Sequence, residues 1–282
     1  MSADGQGGVA IGASSRWAPW VVGAVAFLWV VPIVGILVSS VRPLDEISIG
    51  WWSTGKFTLT LDAWRTVWDK YPLAHAFWVS VKISVISTLI PMLFAPMAAY
   101  AFHFLQFRFR RVMLILIINA FVLPSQIVVI PLFVLWRKLG LIDNIWAVII
   151  PFAGLSFAWA VYLVKSYLED FPRELIEAAQ VDGCGPIARF FHIVLPNSLT
   201  PIAAVGILQF LWTWNGLLLP IVYLREEVPL TALLARIQGV YDRNWDQVAV
   251  AAIVTTVVPL VIFIVFQRYF TAGASMRSGS KE

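Results

Sequence analysis

Residues that could bind a metal ion or act as nucleophiles are few and far apart in this chain. Its 282 residues include one cysteine, Cys184, and three histidines, His75, His103 and His192. A single cysteine cannot form an internal disulfide, and the three histidines fall in separate segments without metal-binding spacing. No catalytic cluster is visible, so we expect a protein that is not an enzyme and holds no metal ion.

One heptapeptide matches the spacing of a phosphate-binding loop. Residues 50–56 read Gly-Trp-Trp-Ser-Thr-Gly-Lys, but Phe57 replaces the serine or threonine that would hold Mg²⁺. The indoles of Trp51 and Trp52 stand where backbone amides must approach phosphate, and no apolar strand leads directly into the motif. We therefore predict that this chain binds neither ATP nor any other cofactor.

Uncharged polar and indole side chains occur inside two of the apolar runs. Amides donate and accept hydrogen bonds, and aromatic faces cover the apolar faces of sugar rings, so the combination suits a neutral polyhydroxylated ligand. Hydrogen bonding between helices is the alternative explanation for each residue. The candidates for a substrate pathway are Asn119, Ser125, Gln126, Gln209, Trp212, Trp214 and Asn215.

No Asp or Glu lies within any apolar run, and Lys82 lies near the end of one. Carriers driven by protons or sodium commonly place carboxylates at mid-membrane, because a group there must bind and release the ion. A conventional secondary carrier is therefore disfavoured. A secondary carrier or channel for a neutral polar solute stays as the alternative function, and uptake into vesicles without ATP would favour it.

The polar interval after the fourth apolar run has the pattern of two short helices set at an angle. Pro172 suits a first helical turn, where its missing N–H costs nothing, and Glu174 follows where the helix dipole favours an acid. One helix should run from there to about Val181. Gly183 can adopt the left-handed backbone that ends a helix, and Pro186 then starts a second one.

The second helix of this interval should carry one apolar face. The residues spaced i, i+3, i+4 and i+7 along it are Ile187, Phe190, Phe191 and Val194. Leu195-Pro196 should end the helix after about ten residues, whereas a bilayer requires about twenty. The apolar face should therefore lie against protein and dock into a groove of a partner.

A specific combination of residues runs through this interval. It consists of Glu177-Ala178-Ala179, Asp182-Gly183, Phe190, Ile193, Leu195-Pro196 and Pro201. The combination resembles the EAA loop of permease subunits in binding-protein-dependent ABC importers, with one small-for-small departure at Cys184, where that family usually has alanine. In that family the loop is the coupling helix that sits in a cleft of the ATPase subunit. Residues 168–197 are called the coupling loop below.

The resemblance implies that a separate ATPase dimer drives transport and that this partner alone uses ATP and Mg²⁺. Glu177 is then expected to make a polar or ionic contact with the ATPase cleft, and Phe190 and Phe191 either fill that cleft or anchor the loop to the membrane domain. The residues expected to couple the subunits are Glu177, Ala178, Ala179, Asp182, Gly183, Phe190, Phe191, Leu195 and Pro196.

Three further segments are Trp214-Asn215, Val-Pro-Leu-Thr at 228–231 and Gln-Arg-Tyr-Phe at 267–270. They resemble the carbohydrate branch of these permeases, specifically its maltose-permease-like subunit with six spans. This implies import of a sugar or related polyhydroxylated solute that an extracytoplasmic binding protein delivers to the loop 225–247. It also implies a second, non-identical permease as partner. The C-terminal tail departs from the usual small-residue ending of the family.

The composition is that of a membrane protein. Hydrophobic residues make up 60% of the chain and charged residues 13%, whereas soluble domains average about 25% charged, and the mean hydropathy is +0.82. A net charge of +4 on so few charged residues does not indicate nucleic acid as a partner. We expect the surplus positive charge to lie against membrane lipid.

We predict an all-α polytopic membrane protein with six transmembrane helices and the coupling loop between spans four and five. The apolar runs are residues 17–41, 77–102, 112–136, 145–164, 198–224 and 248–266. A mobile N-terminal tail then covers 1–16, the transmembrane domain 17–270, and a C-terminal tail 271–282. An even number of spans places both termini and the coupling loop on the same side.

Orientation follows from the short loop between spans two and three. Arg108, Arg110 and Arg111 lie there without an acid, whereas the long loop 42–76 balances its bases with acids. Short basic loops stay in the cytoplasm. We therefore predict a multi-pass protein of the inner membrane with both termini and the coupling loop in the cytoplasm.

Overall fold

The computed structural model describes residues 17–122, 124–239 and 244–278, with side chains up to residue 267. These residues form helices and loops and contain no β-strand. The predicted tail 1–16 lies outside them. The helices are α1 (Ala18–Ser39), α2 (Leu44–Ile47), α3 (Asp62–Lys70), α4 (Leu73–Phe104), α5 (Arg110–Val122), α6 (Ser125–Leu139), α7 (Trp146–Leu168), α8 (Arg173–Val181), α9 (Pro186–Arg189), a π-helical turn (Phe190–Val194), α10 (Leu195–Asn197), α11 (Leu199–Trp214), α12 (Leu218–Tyr223), α13 (Leu230–Gln238) and α14 (Trp245–Ser278).

Four of these helices are long and apolar enough to cross a membrane: α1, α4, α7 and the part of α14 from Trp245 to Gln267. Two bent pairs raise the number to six if each pair is one span. These are α5 with α6, bent by 95°, and the segment Pro186–Asn197 with α11, bent by 75°. The predicted span 112–136 is divided at Pro124, whose fixed φ and missing N–H interrupt a helix, so α5 and α6 form one span only as a bent pair.

The predicted span 198–224 is also interrupted. Helix α11 ends at Trp214, and α12 begins at Leu218. Gly216 lies in the break, and a Cβ at this position would overlap the ring of Phe152 in α7. The close approach of another helix therefore accompanies the break, and this cannot be recognised from local sequence.

The core is built around α7, and α4 packs along it. In the most apolar stretch of α7, 61% of the residues are buried. One buried cluster joins α4, α7, α13 and α14 far from the coupling loop, and includes Val79, Ile149 and Tyr223. The other joins the opposite ends of α4 and α7 to the coupling loop through Phe171, Ile176 and Phe190. The coupling loop is thus part of the packed body of the protein.

Candidate functional site

The first helix of the coupling loop, α8, runs from Arg173 to Val181, as the sequence predicted. Its two buried residues are Ile176 and Ala179, and Ile176 packs in the buried cluster that joins the coupling loop to α4 and α7. Glu177, Ala178 and Asp182 are exposed. The helix therefore presents one carboxylate-bearing face away from the body of the protein.

The end of α8 is a Schellman motif. The N–H of Gly183 donates to the carbonyl of Gln180 at 3.1 Å, and the N–H of Cys184 donates to the carbonyl of Ala179 at 2.9 Å. Gly183 has a φ of +78°, in the left-handed region that residues other than glycine and asparagine rarely adopt. The prediction that Gly183 ends the first helix is confirmed, and Ala179 contributes its carbonyl to the same turn.

The second helix of the coupling loop starts at Pro186, as predicted, but does not end at Leu195-Pro196. The chain passes from α9 through the π-helical turn into α10, which extends to Asn197. Pro196 is tolerated because it lies in the first turn of α10, where its missing N–H is not required. Leu195 is half-buried, and Pro196 is exposed.

The predicted single apolar face of this helix is divided between core and surface. Phe190 and Val194 are buried, whereas Ile187 is 75% exposed and Phe191 is 47% exposed. The π-helical turn has more residues per turn than an α-helix, so spacing at 3.6 residues no longer predicts which side chains lie together. The Phe190 ring lies 5.4 Å from the ring of Tyr100 in α4 and so anchors the coupling loop to the membrane helices.

Exposed apolar side chains remain on the outer surface of the coupling loop. Val181 is 87% exposed at the end of α8, and Ile187 and Phe191 follow on the second helix. Glu177 lies on the same loop and is exposed. An apolar surface beside a carboxylate is what a docking element for another protein requires.

A cavity of about 270 Å³ lies where α5, α6, α7 and α11 meet. Three predicted pathway residues, Ser125, Gln209 and Trp212, line it. None of its lining residues is charged. The other lining residues, which the sequence analysis missed, are Phe121, Leu155, Ser156 and Trp159.

Gln209 is held in place at this cavity by two hydrogen bonds. Its Nε2 donates to Ser156 Oγ and, at 3.1 Å, to Thr213 Oγ1, and Ser156 Oγ donates to the carbonyl of Phe152. Gln209, Ser156 and Thr213 are all buried. The chain of hydrogen bonds joins α7 to α11 and fixes the amide of Gln209 at the cavity wall.

A second cavity of about 400 Å³ shares Ser125 and Trp212 with the first and is also lined by Asn215. Trp212 is 47% exposed, and its ring meets that of Phe152 edge to face at 5.4 Å. Asn215 Nδ2 donates to the carbonyl of Leu211 at 2.8 Å, which leaves its amide oxygen for other partners. Trp212 therefore stands between the two cavities.

The remaining predicted pathway residues lie elsewhere. Asn119 and Gln126 are exposed and outside the lining of both cavities, and Asn119 Nδ2 donates to the carbonyl of Ile115. Trp214 is 2% exposed, and its Nε1 donates to the carbonyl of Thr255 at 3.1 Å. Trp214 thus supports the packing of α11 against α14.

The heptapeptide 50–56 has a geometry unlike that of a phosphate cradle. The Arg42 guanidinium donates hydrogen bonds to the carbonyl oxygens of Trp51, Ser53 and Lys56, and it pairs with Glu46 at 3.1 Å. Phosphate needs amide hydrogens, and this loop directs carbonyl oxygens inward. Hydrogen bonds from the hydroxyl and the N–H of Thr58, with a further contribution from the Arg42 guanidinium, hold the pKa of Glu46 below its usual range. Among the described residues, no group of three or more His, Cys, Asp or Glu side chains could hold a metal ion.

Similar proteins are transport permeases. A probable ABC transporter permease protein of Pyrococcus horikoshii is 32% identical over 254 residues, covering 89% of this chain and 92% of the relative. The osmoprotective compounds uptake permease protein GgtD of Synechocystis is 34% identical, covering 88% and 87%. The arabinooligosaccharides transport system permease protein AraQ of Halalkalibacterium halodurans is 35% identical, covering 89% and 91%.

Solved structures agree in fold. A bacterial ABC transporter involved in the import of the acidic polysaccharide alginate matches with a TM-score of 0.71 at 25% identity, covering 89% of this chain and 94% of that chain. The alginate transporter in complex with an alginate pentasaccharide-bound periplasmic protein matches with a TM-score of 0.65 at 15% identity.

The family model that matches this chain is described as a binding-protein-dependent transport system inner membrane component, and it covers residues 88–275. That range includes the coupling loop and the residues that line both cavities. The match extends over more than half of the chain, and the helical fold and apolar spans agree with it. This chain therefore belongs to the family of inner membrane components of binding-protein-dependent transport systems.

Proposed function

We propose that this chain is the permease subunit of an ATP-driven importer and translocates a neutral sugar or related polyhydroxylated solute by alternating access. The observation that carries the proposal is the pair of adjoining cavities, in which the Ser125 hydroxyl and the amide oxygens of Gln209 and Asn215 can hydrogen-bond a solute beside the Trp212 indole. The names of two similar permeases mention osmoprotective compounds and arabinooligosaccharides. The chain itself positions the solute and catalyses no reaction.

The lining of the cavities favours a neutral solute over an acidic one. A carboxylated sugar entering an apolar site needs a cation beside it, because an unpaired buried charge is costly. No Lys or Arg of the residues that the structure describes lines either cavity. The importer with the similar fold is involved in the import of the acidic polysaccharide alginate, so the charge of the transported solute would differ between the two proteins.

The driving force would come from an ATPase dimer that docks on the coupling loop and alone uses ATP and Mg²⁺. Val181 and Ile187 would enter the ATPase surface, and Glu177 would make a polar contact there. Phe190 would transmit the movement, because it is anchored against Tyr100 of α4. Closure of the ATPase would then shift α4 and α7 and change the side to which the cavities open.

The assembly would include a second, non-identical permease and an extracytoplasmic solute-binding protein. Only 6% of the residues in the most apolar stretch of α1 are buried within this chain, so lipid or another subunit must cover that helix. Both termini, the coupling loop and the basic loop at Arg108 would lie in the cytoplasm. Residues 225–247 would face the binding protein.

Uptake into proteoliposomes tests this function. The complete complex, reconstituted with its binding protein, should accumulate solute only when ATP is present, and mass spectrometry of the co-purified solute should identify an uncharged polyhydroxylated compound. Accumulation without ATP would instead indicate a secondary carrier or channel. A co-purified uronate would contradict the assignment of a neutral substrate.

A further inference from the structure

The loop between α4 and α5 forms a groove that the function proposed above does not use. The groove has a volume of about 570 Å³, and it is lined by Gln106, Phe107, Phe109, Arg110, Arg111, Val112 and Leu114. We infer that it binds an anionic phospholipid, with the headgroup phosphate against the arginines and an acyl chain along the first turns of α5. The inference rests on the proposed cytoplasmic position of this loop.

The charge of the groove is positive and uncompensated. Arg110 and Arg111 line the groove, and Arg108 lies two residues before Arg110 in the sequence. None of the three forms an ion pair with a carboxylate of the described residues. Arg110 donates to the carbonyl of His103, and the Arg108 guanidinium lies 4.9 Å from the centre of the Phe109 ring. Guanidinium groups bind phosphate through two parallel hydrogen bonds, so an anionic headgroup complements this charge.

The apolar part of the groove distinguishes a lipid from a soluble anion. Phe109 is 61% exposed, and Val112 and Met113 continue an exposed apolar surface at the start of α5. Basic and apolar residues thus lie next to each other where the chain enters the membrane. Lipid phosphates lie at the same depth. Phe109 also has a φ of +65°, a left-handed backbone conformation that an aromatic residue rarely adopts.

The groove adjoins the packing that supports the coupling loop. The Phe107 ring lies 5.6 Å from that of Phe102 in α4, and the Phe104 ring lies 6.1 Å from that of Phe171 at the entrance to the coupling loop. A lipid that holds Phe107 in place would therefore stabilise the same cluster that anchors Phe190. Binding of the lipid should make coupling between ATP hydrolysis and transport depend on the anionic fraction of the membrane.

The test compares two double substitutions in the complete complex. Arg110→Gln with Arg111→Gln removes the two positive charges that line the groove. Arg137→Gln with Lys138→Gln removes two exposed charges from the last turn of α6. Native mass spectrometry measures retention of phosphatidylglycerol against phosphatidylcholine. Retention should fall about thirtyfold in the groove variant, as expected for two lost contacts with an anionic headgroup, and should be unchanged in the α6 variant.

Transport provides the second readout. ATP-driven uptake by the wild-type complex and the α6 variant should rise with the phosphatidylglycerol content of the vesicles, and uptake by the groove variant should not. Equal lipid retention by all three proteins would overturn the inference, as would photo-crosslinks from Phe109 to the ATPase or the second permease in place of lipid. Lipid retention is measured without any transported solute, so its result is separable from failure of the proposed transport function.

Discussion

Two tryptophans of α11, two positions apart, have different environments. Trp212 is half-exposed between the two cavities, whereas Trp214 is buried and bonded to the carbonyl of Thr255. Side chains two positions apart on a helix point to different sides of it. The same side chain therefore lines the two cavities at one position and supports the packing of the bundle at the other.

Replacing these tryptophans separates transport from stability. Trp212→Ala should lower sugar uptake about tenfold, because it removes the aromatic face from the cavity wall, and should leave the thermal stability of the complex nearly unchanged. Trp214→Phe should instead lower stability by about 1 kcal/mol through the lost hydrogen bond, with uptake per folded complex preserved. The measurements are initial uptake rates and thermal unfolding in detergent. Reversed effects would mean that the cavity is not on the solute path.

Some site residues could be predicted from their chemistry, and others could not. Gln209 and Trp212 stood out because an amide or a half-polar indole within an apolar run is unusual. Ser156 and Trp159 were missed, because α7 carries polar or aromatic residues on several sides and only its packing shows which of them face the cavity. The burial of Trp214 depends on α14, which lies about forty residues away in the sequence.

At the scale of elements, the coupling loop depends on one glycine with a left-handed backbone. Gly183 and Gly185 lie two residues apart, and a Cβ at either would meet no atom within 4 Å. Gly183 has φ +78°, whereas Gly185 has φ −67°, which any residue adopts. Substituting each in turn therefore tests the backbone conformation without adding a steric clash.

Gly183→Ala should weaken coupling, whereas Gly185→Ala should not. A left-handed backbone costs an alanine about 1 kcal/mol, which should reduce the population of the correctly angled loop and lower sugar uptake roughly fivefold. The measurement is sugar transported per ATP hydrolysed, with the amount of membrane-inserted protein as control. Equal uptake by both variants would show that the angle between the two helices does not matter for coupling.

Helices defined by local chemistry were predicted more accurately than those interrupted by tertiary contacts. The start of α8 at Arg173, its end at Val181 and the start at Pro186 follow from proline and glycine, whose backbone preferences act within a few residues. The π-helical turn and the break after Trp214 were not predicted. Each lies where the chain packs against another helix, Tyr100 of α4 in the first case and Phe152 of α7 in the second.

At the scale of the whole molecule, the carboxylate of Asp143 connects two loops at the end of the helix bundle that lies opposite to the coupling loop. Asp143 Oδ1 accepts hydrogen bonds from the N–H groups of Glu226 at 3.0 Å and Arg225 at 2.7 Å. These bonds hold the pKa of Asp143 below its usual range. The loop before α7 is thereby tied to the loop after α12.

The contribution of Asp143 to stability should depend on pH. Because its pKa is lowered in the folded protein, its stabilising effect is complete above the ordinary value of about 3.9 and is lost as the pH falls through the lower folded value. Asp143→Asn should therefore reduce the melting temperature of the complex at pH 7, and the difference from wild type should shrink below about pH 4. Asp69→Asn, at an exposed aspartate of α3, is the control and should have little effect. A difference that stays constant from pH 7 to pH 3 would exclude this role.

The central claim is that a separate ATPase drives this chain through the coupling loop. A photo-crosslinking amino acid placed at Val181 or Ile187, both highly exposed, tests it directly, with Ile49 in the loop before α3 as an equally exposed control. In membranes that contain the complete transporter, we expect adducts with the ATPase from Val181 and Ile187 and none from Ile49. The absence of ATPase adducts from both coupling-loop positions, in a complex that still accumulates sugar, would contradict the account.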